Sequence, residues 1–102
     1  MSGETTINNG KPIGALEQLT VADTAIALAS VPLSANRAVI VCQDAQVRFT
    51  DDGSTTPTST VGMPLEQTQS YVLESAEALA NFKAIRTGGT SAILNISYYF
   101  RE

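Results

Sequence analysis

Residues 37–62, RAVIVCQDAQVRFTDDGSTTPTSTVG, decide the fold class of this chain. They hold two apolar runs, AVIVC (38–42) and VRF (47–49), rich in the β-branched and aromatic residues that suit a pleated, half-buried surface. Asp51-Asp52-Gly53 then reads as a turn, with Gly53 supplying a positive φ. Pro57 cannot donate to a strand ladder, and Ser54–Thr60 carries no core-forming side chain. Asp51–Thr60 is therefore expected as an exposed loop. Arg48, next to the turn, is expected to bond one of its aspartates.

Residues 37–50 admit two strand readings. As one continuous strand, Val39, Val41, Ala45, Val47 and Phe49 share a face. As a hairpin turning at Asp44-Ala45, Cys42 pairs with Val47 and Ile40 with Phe49, and these four form the core face. The hairpin, or a bulge at the same place, is preferred, because a continuous strand would exceed the ~3–10 residues usual in globular proteins.

Toward the C-terminus, Val61–Leu65 contains Pro64 and reads as a short or edge strand. Gln69–Glu74 alternates, with Tyr71 and Leu73 set against Val72 and Glu74. Residues 75–80, SAEALA, have high helix propensity and a serine N-cap, and predict a short connecting helix. Ala80–Thr87 and Ser91–Phe100 flank Gly88-Gly89, the pattern of a tight primed-turn hairpin. In the last run Ala92, Leu94, Ile96, Tyr98 and Phe100 form the expected core face, with Ile93, Asn95, Ser97 and Tyr99 opposite.

Toward the N-terminus, Ala15–Val21 and Asp23–Ala29 read as strands. The second places Ile26 and Leu28 on one face, while its alanines leave a helical alternative. Pro32 ends this element and Ser34-Ala35-Asn36 supplies a turn. Residues 1–14 read as a polar arm whose large apolar side chains are Ile7 and Ile13, disordered alone or ordered by a partner. The expectation is thus an arm (1–14) and a single all-β domain (15–102). About eight short strands make an antiparallel β-sandwich or jelly-roll-like barrel.

Composition narrows the function. The chain has 102 residues, enough for one modest core, and a net charge of −4. Its six basic residues are scattered, so nucleic acid is not an expected partner. Charged residues make up 16%, against about 25% in ordinary domains, which suits a surface buried against neighbours. The single cysteine, Cys42, lies in an apolar run and reads as a buried hydrophobe. The first residues show neither a basic nor an apolar signal region, and no stretch approaches the roughly 20 apolar residues of a membrane span. Synthesis in the cytoplasm and no membrane contact are expected.

The usual catalytic groups are missing. There is no histidine, which removes the commonest general base and metal ligand. One cysteine cannot build a zinc site, and no glycine-rich phosphate loop occurs. Asp51-Asp52-Gly53 lacks the alternating ligand spacing of a calcium loop and reads as a surface turn. No enzymatic role, cofactor or metal is expected.

The run VRFTDDGSTTPTSTVG (47–62) is preceded by AVIVCQDA and followed by LANFKAI (79–85) and SAILNISYYF (91–100). Together these resemble small virion structural proteins of tailed bacteriophages. Those proteins share an apolar strand, a V-R-[FY]-x-D-D-G-[ST] turn, a Pro/Thr loop ending in Gly, an L-x-x-F-x-[AF]-I strand and a final aromatic strand. The resemblance spans residues 37–100 and leaves the first 36 outside. It implies a β-sandwich particle component without an active site, foremost a capsid decoration (cement) protein on the exterior of the virion. Such a protein binds the assembled major capsid protein and stabilises the shell; a neck or tail component is the alternative. A carbohydrate-binding module, from another class, would place aromatics in loops, whereas Phe49, Tyr71, Phe82, Tyr98 and Tyr99 all fall in expected strands.

The expected protein contacts are Ile7 and Ile13 of the arm and Asp51, Asp52, Thr55, Thr56, Pro57 and Thr58 of the loop. Tyr99 joins them. With Ile93 it lies opposite the core face, which also predicts a homo-oligomer.

Overall fold

A computed structural model of the protein describes residues 10–102. The described chain forms nine strands and one helix: β1 (Lys11–Pro12), β2 (Glu17–Val21), β3 (Ile26–Ala27), β4 (Arg37–Gln43), β5 (Val47–Thr50), β6 (Met63–Leu65), β7 (Ser70–Leu73), α1 (Ala76–Asn81), β8 (Lys83–Arg86) and β9 (Ala92–Phe100). All strand pairs are antiparallel. One sheet runs β1-β9-β4-β7, with β2 also paired to β9, and the other runs β3-β8-β5-β6. The all-β reading is correct. Two separate sheets make it a sandwich, and the barrel alternative is not realised.

From β2 onward the chain changes sheet at every connection except β5 to β6. Both expected hairpins are therefore wrong, for one reason. β4 and β5 lie in different sheets, so Cys42 opposes Leu94 rather than Val47, and Phe49 opposes Ala84 and Met63. The expected core face Ile40, Cys42, Val47 and Phe49 is nonetheless fully buried. An arch between sheets and a hairpin within one sheet both point alternate residues inward, so side-chain periodicity cannot separate them. The three residues 44–46 reach ~10 Å, which matches the face-to-face spacing of packed sheets. Asp44 makes the bend at φ 79°.

Likewise β8 and β9 do not pair with each other. Gly88 and Gly89 have none of the positive φ values a primed turn requires, and residues 87–91 cross from one sheet to the other.

The long strand β9 is the spine of the first sheet. It holds β4 along one side and β1 and β2 along the other. Its inward residues Ala92, Leu94, Ile96 and Tyr98 meet Leu19, Val21, Ala38, Ile40 and Leu73 from the same sheet and Val47, Phe49 and Ala84 from the other. Phe100, expected in the core, pairs with Lys11 at the end of β9 and is 37% exposed. The ring of Phe49 sits 4.7 Å from that of Tyr71 and 5.5 Å from that of Phe82, tying the two sheets together through aromatic contacts.

The helix α1 forms where expected. Ser75 caps it by accepting a hydrogen bond from the Ala78 amide at 3.0 Å, and Glu77 sits favourably in the first turn. Six residues would not hold a helix alone, so Leu79, packed into the core, carries much of its stability. Phe82 then takes extended angles and ends the helix, outside the strand in which it was expected. β6 is an edge strand carrying Pro64, as its sequence implied. Of Asp23–Ala29 only Ile26–Ala27 pairs, as a strand on the edge of the second sheet.

Candidate protein-interaction site

The loop between β5 and β6 is built from its own hydrogen bonds. The Asp52 carboxylate accepts the amides of Ser54 (3.0 Å) and Thr55 (2.9 Å) and the Thr55 hydroxyl (2.8 Å). These bonds favour the charged form and hold the Asp52 carboxyl below its ordinary value. Gly53 follows at φ 76°, as expected of this turn. Further on, the Thr58 hydroxyl accepts the amides of Thr60 and Val61.

Both ends of the loop are tied to outward residues of β5. The Thr50 hydroxyl donates to the Thr55 carbonyl at 2.6 Å, and Arg48 Nη1 donates to the Gly62 carbonyl at 2.7 Å. Gly62 has φ 127°, and a Cβ there would lie 3.0 Å from the Phe49 carbonyl oxygen. Arg48 thus serves a backbone carbonyl rather than an aspartate. The loop does not project freely, because both of its ends are tied back to β5. Pro57 is fully buried and cannot be a contact residue. Asp51 is half-buried, while Asp52, Thr55, Thr56 and Thr58 remain exposed, with Val61 and Met63 beside them.

At the N-terminal side, Ile7 lies outside the described residues. Lys11 and Pro12 pair with Phe100 and Tyr99, so this part of the arm is already a strand of the first sheet. Ile13 donates its amide to the Tyr98 carbonyl and packs against the core, which removes it as a free contact. Tyr99 is half-buried on the outward face, between Pro12 and Arg37 in register.

The sequence reading missed a buried anchor. Glu17, 7% exposed, accepts the Tyr98 hydroxyl at 2.5 Å, the Ala29 amide at 2.9 Å and the Ser30 amide at 3.1 Å. The Tyr98 hydroxyl is pushed well above its ordinary pKa by burial and by the adjoining carboxylate. Glu17 thereby pins the base of the loop between β3 and β4. The Pro32 ring lies where a side chain at position 14 would collide with it, at 2.6 Å. The tip of that loop carries Val31 and Leu33, the latter wholly exposed at 105%, and Leu16 nearby is 61% exposed. The only sequence signal was the apolar tripeptide Val31-Pro32-Leu33 between two serines. Its exposure could not be read without the anchor.

The structure does not unite the expected contacts into one cleft: the Asp51–Thr58 loop joins β5 to β6 of the second sheet, while Ile13 and Tyr99 belong to the first. Among the described residues no group of three His, Cys, Asp or Glu side chains could hold a metal ion, and no helix is long and apolar enough to cross a membrane. Cys42 is buried, its thiol donating to the Ala45 carbonyl at 3.0 Å. Burial raises its pKa, the reverse of what a reactive thiol needs. Set against family models, curated proteins and solved structures, the chain matches none.

Proposed function

We propose that this chain is a virion structural protein of a tailed bacteriophage. In this reading it is a capsid decoration protein that binds the assembled shell of major capsid protein from outside. The observation that carries a binding role is Leu33, held fully in solvent on a loop whose base is fastened to a buried carboxylate. A pinned loop loses little conformational entropy on docking, and burying one leucine contributes roughly 1.5–3 kcal/mol. The likeness of residues 37–100 to phage particle proteins supplies the setting. Modest single contacts suffice there, because repeated sites on a shell add avidity, and a ligand of the assembled shell alone stabilises it by linkage.

The test is co-sedimentation of the purified protein with expanded shells that lack it, followed by a thermal challenge. Binding with added heat resistance is expected, and Leu33→Asp should weaken binding at least about tenfold, since it would bury an unpaired charge. Absence of binding, together with equal heat survival of particles lacking the chain, would refute the reading. Counting copies per particle separates placements: roughly hundreds indicate decoration, whereas about six or twelve indicate a neck or tail ring.

A further inference from the structure

The strands at the sheet edges are β1 and β2 beside β9, β7 beside β4, and β3 and β6 in the second sheet. An edge strand presents unpaired N–H and C=O groups to any passing chain, and most edges here are blunted. β1 and β3 pair over two residues each, and β1 and β6 carry Pro12 and Pro64. β2 starts at the inward carboxylate of Glu17, and just past its end the Ala22 carbonyl accepts the Arg86 amide. β7 has none of these devices: Ser70–Leu73 includes no charge, proline or glycine.

The register shows which backbone groups β7 leaves open. Cys42 donates its amide to the Gln69 carbonyl at 2.9 Å, and its carbonyl accepts the Thr68 amide at 2.8 Å. Bonded and non-bonded pairs alternate along an antiparallel ladder, so Tyr71 opposite Ile40 and Leu73 opposite Ala38 bond to β4. Ser70 and Val72 therefore aim their N–H and C=O groups away from β4. Among the described residues no strand pairs with that side of β7, and no turn or loop bond reaches it. Carboxylates stand at both ends of this edge. Asp44 and Glu66 lie beside Cys42, whose partner Gln69 precedes the strand, and Glu74 and Glu77 follow it. All four are exposed, with Arg37 3.5 Å from Glu74.

We infer that the free edge of β7 is a strand-addition site for an extended segment of another protein, uncharged at its centre and basic at both ends. The backbone sets the first part of this specification. Donor and acceptor pairs two residues apart along an edge are met by an extended peptide of the same spacing. Charge sets the second part. A second copy, antiparallel about Tyr71, would bring the Glu74 end of each chain against the Glu66 end of the other, acid against acid. A strand with lysine or arginine at its ends meets the same carboxylates favourably.

An edge with two outward residues gives a short peptide a dissociation constant of roughly millimolar order, since ordering the peptide offsets much of the gain. A longer segment held near the edge by other contacts would bind more tightly through effective concentration. The inference rests neither on the particle setting nor on Leu33, which lies on the loop between β3 and β4.

The probe is a capped peptide, Lys-Thr-Val-Thr-Val-Thr-Lys, titrated to about 5 mM into the labelled full chain while amide spectra are recorded. Saturable shifts at Ser70–Leu73 and their β4 neighbours are expected, and the Val72 amide should exchange with solvent at least about threefold more slowly when bound. The same peptide N-methylated at its three central residues, which cannot pair, should bind at least tenfold more weakly. A version with glutamate in place of both lysines should lose at least about fivefold. Val72→Pro removes the outward N–H without costing a β4 bond and should weaken binding at least tenfold. Should that variant not fold, the two altered peptides decide on the wild type. No shift at the highest concentration overturns the inference. So do shifts that map to β2 or β6, or equal binding of the N-methylated or the glutamate peptide. Shifts at Ser70–Leu73 that grow with protein concentration alone would give the edge to a second copy and overturn the choice of partner.

Discussion

Removing the Glu17 carboxylate should destabilise the protein far more than its place on an edge strand suggests. The carboxylate is 7% exposed and accepts three hydrogen bonds, one from a buried phenol and two from loop amides. A hydrogen bond to a charged acceptor contributes ~1.5–3 kcal/mol, and a buried hydroxyl left without a partner costs ~1–3 kcal/mol. Ala29 and Ser30 are exposed, so their amides can turn to water and the Tyr98 hydroxyl dominates the loss. Removal also returns the cost of burying the charge, which argues for the lower part of each range. Glu17→Ala should therefore cost about 3 kcal/mol, a large share of the ~5–15 kcal/mol that holds a domain together.

Glu17→Gln should cost about 1.5 kcal/mol, since the amide keeps one accepting oxygen but turns an NH₂ toward donors. Tyr98→Phe should cost a similar amount, and the double variant Glu17→Ala/Tyr98→Phe should fall about 1.5 kcal/mol short of the sum. Urea unfolding monitored by circular dichroism measures each value. Hydrogen exchange at Ala29 and Ser30 should quicken in Glu17→Ala even under native conditions. A Glu17→Ala protein within ~0.5 kcal/mol of wild type, or a Tyr98→Phe cost indifferent to Glu17, would refute this account.

Three further outcomes are expected. Tyr98 keeps its proton more tightly folded than unfolded, so its contribution is complete below the unfolded value of about 10 and is lost as pH rises above it. Stability should fall by up to ~1.4 kcal/mol per pH unit there, and Tyr98→Phe should remove that slope in alkaline urea titrations. Asp52 has the opposite sign: its carboxyl is held low, so the loop is intact above the ordinary value of 3.8 and loosens as pH falls below it. Amide shifts of Ser54 and Thr55 should report this, and Asp52→Ala should give the loosened spectrum at neutral pH. Thr68, a β-branched residue at φ 73°, is exposed and sits in the left-handed region. Its amide still donates to the Cys42 carbonyl, a bond any residue keeps. Thr68→Gly should stabilise the protein by about 0.5–1 kcal/mol in the same urea assay.

Inward periodicity was legible because burial of alternate residues is local chemistry. Ile40, Cys42, Val47, Phe49, Leu94, Ile96 and Tyr98 were identified as core and are core. The cap at Ser75, the Asp52 turn and the edge proline Pro64 were readable for the same reason, since each acts within three residues of itself. Among the expected contact residues, Pro57 is buried and Ile13 packs against the core, while Asp52, Thr55, Thr56 and Thr58 are exposed and Tyr99 lies half-buried on the outward face.

By itself, then, the sequence determined which residues point inward and where the chain must turn. Only the tertiary structure decided which strand each turn delivers the chain to. A connection of three residues spans the gap between two sheets as readily as it closes a hairpin, and the choice rests on which arrangement buries the faces together. The same holds for Glu17, a polar residue in an edge strand until Tyr98, 81 residues away, and the loop of Ala29 and Ser30 enclose it. Residues 37–62 read as one hairpin and its loop; in the fold they are an arch that joins two sheets and a loop whose ends are tied back to β5.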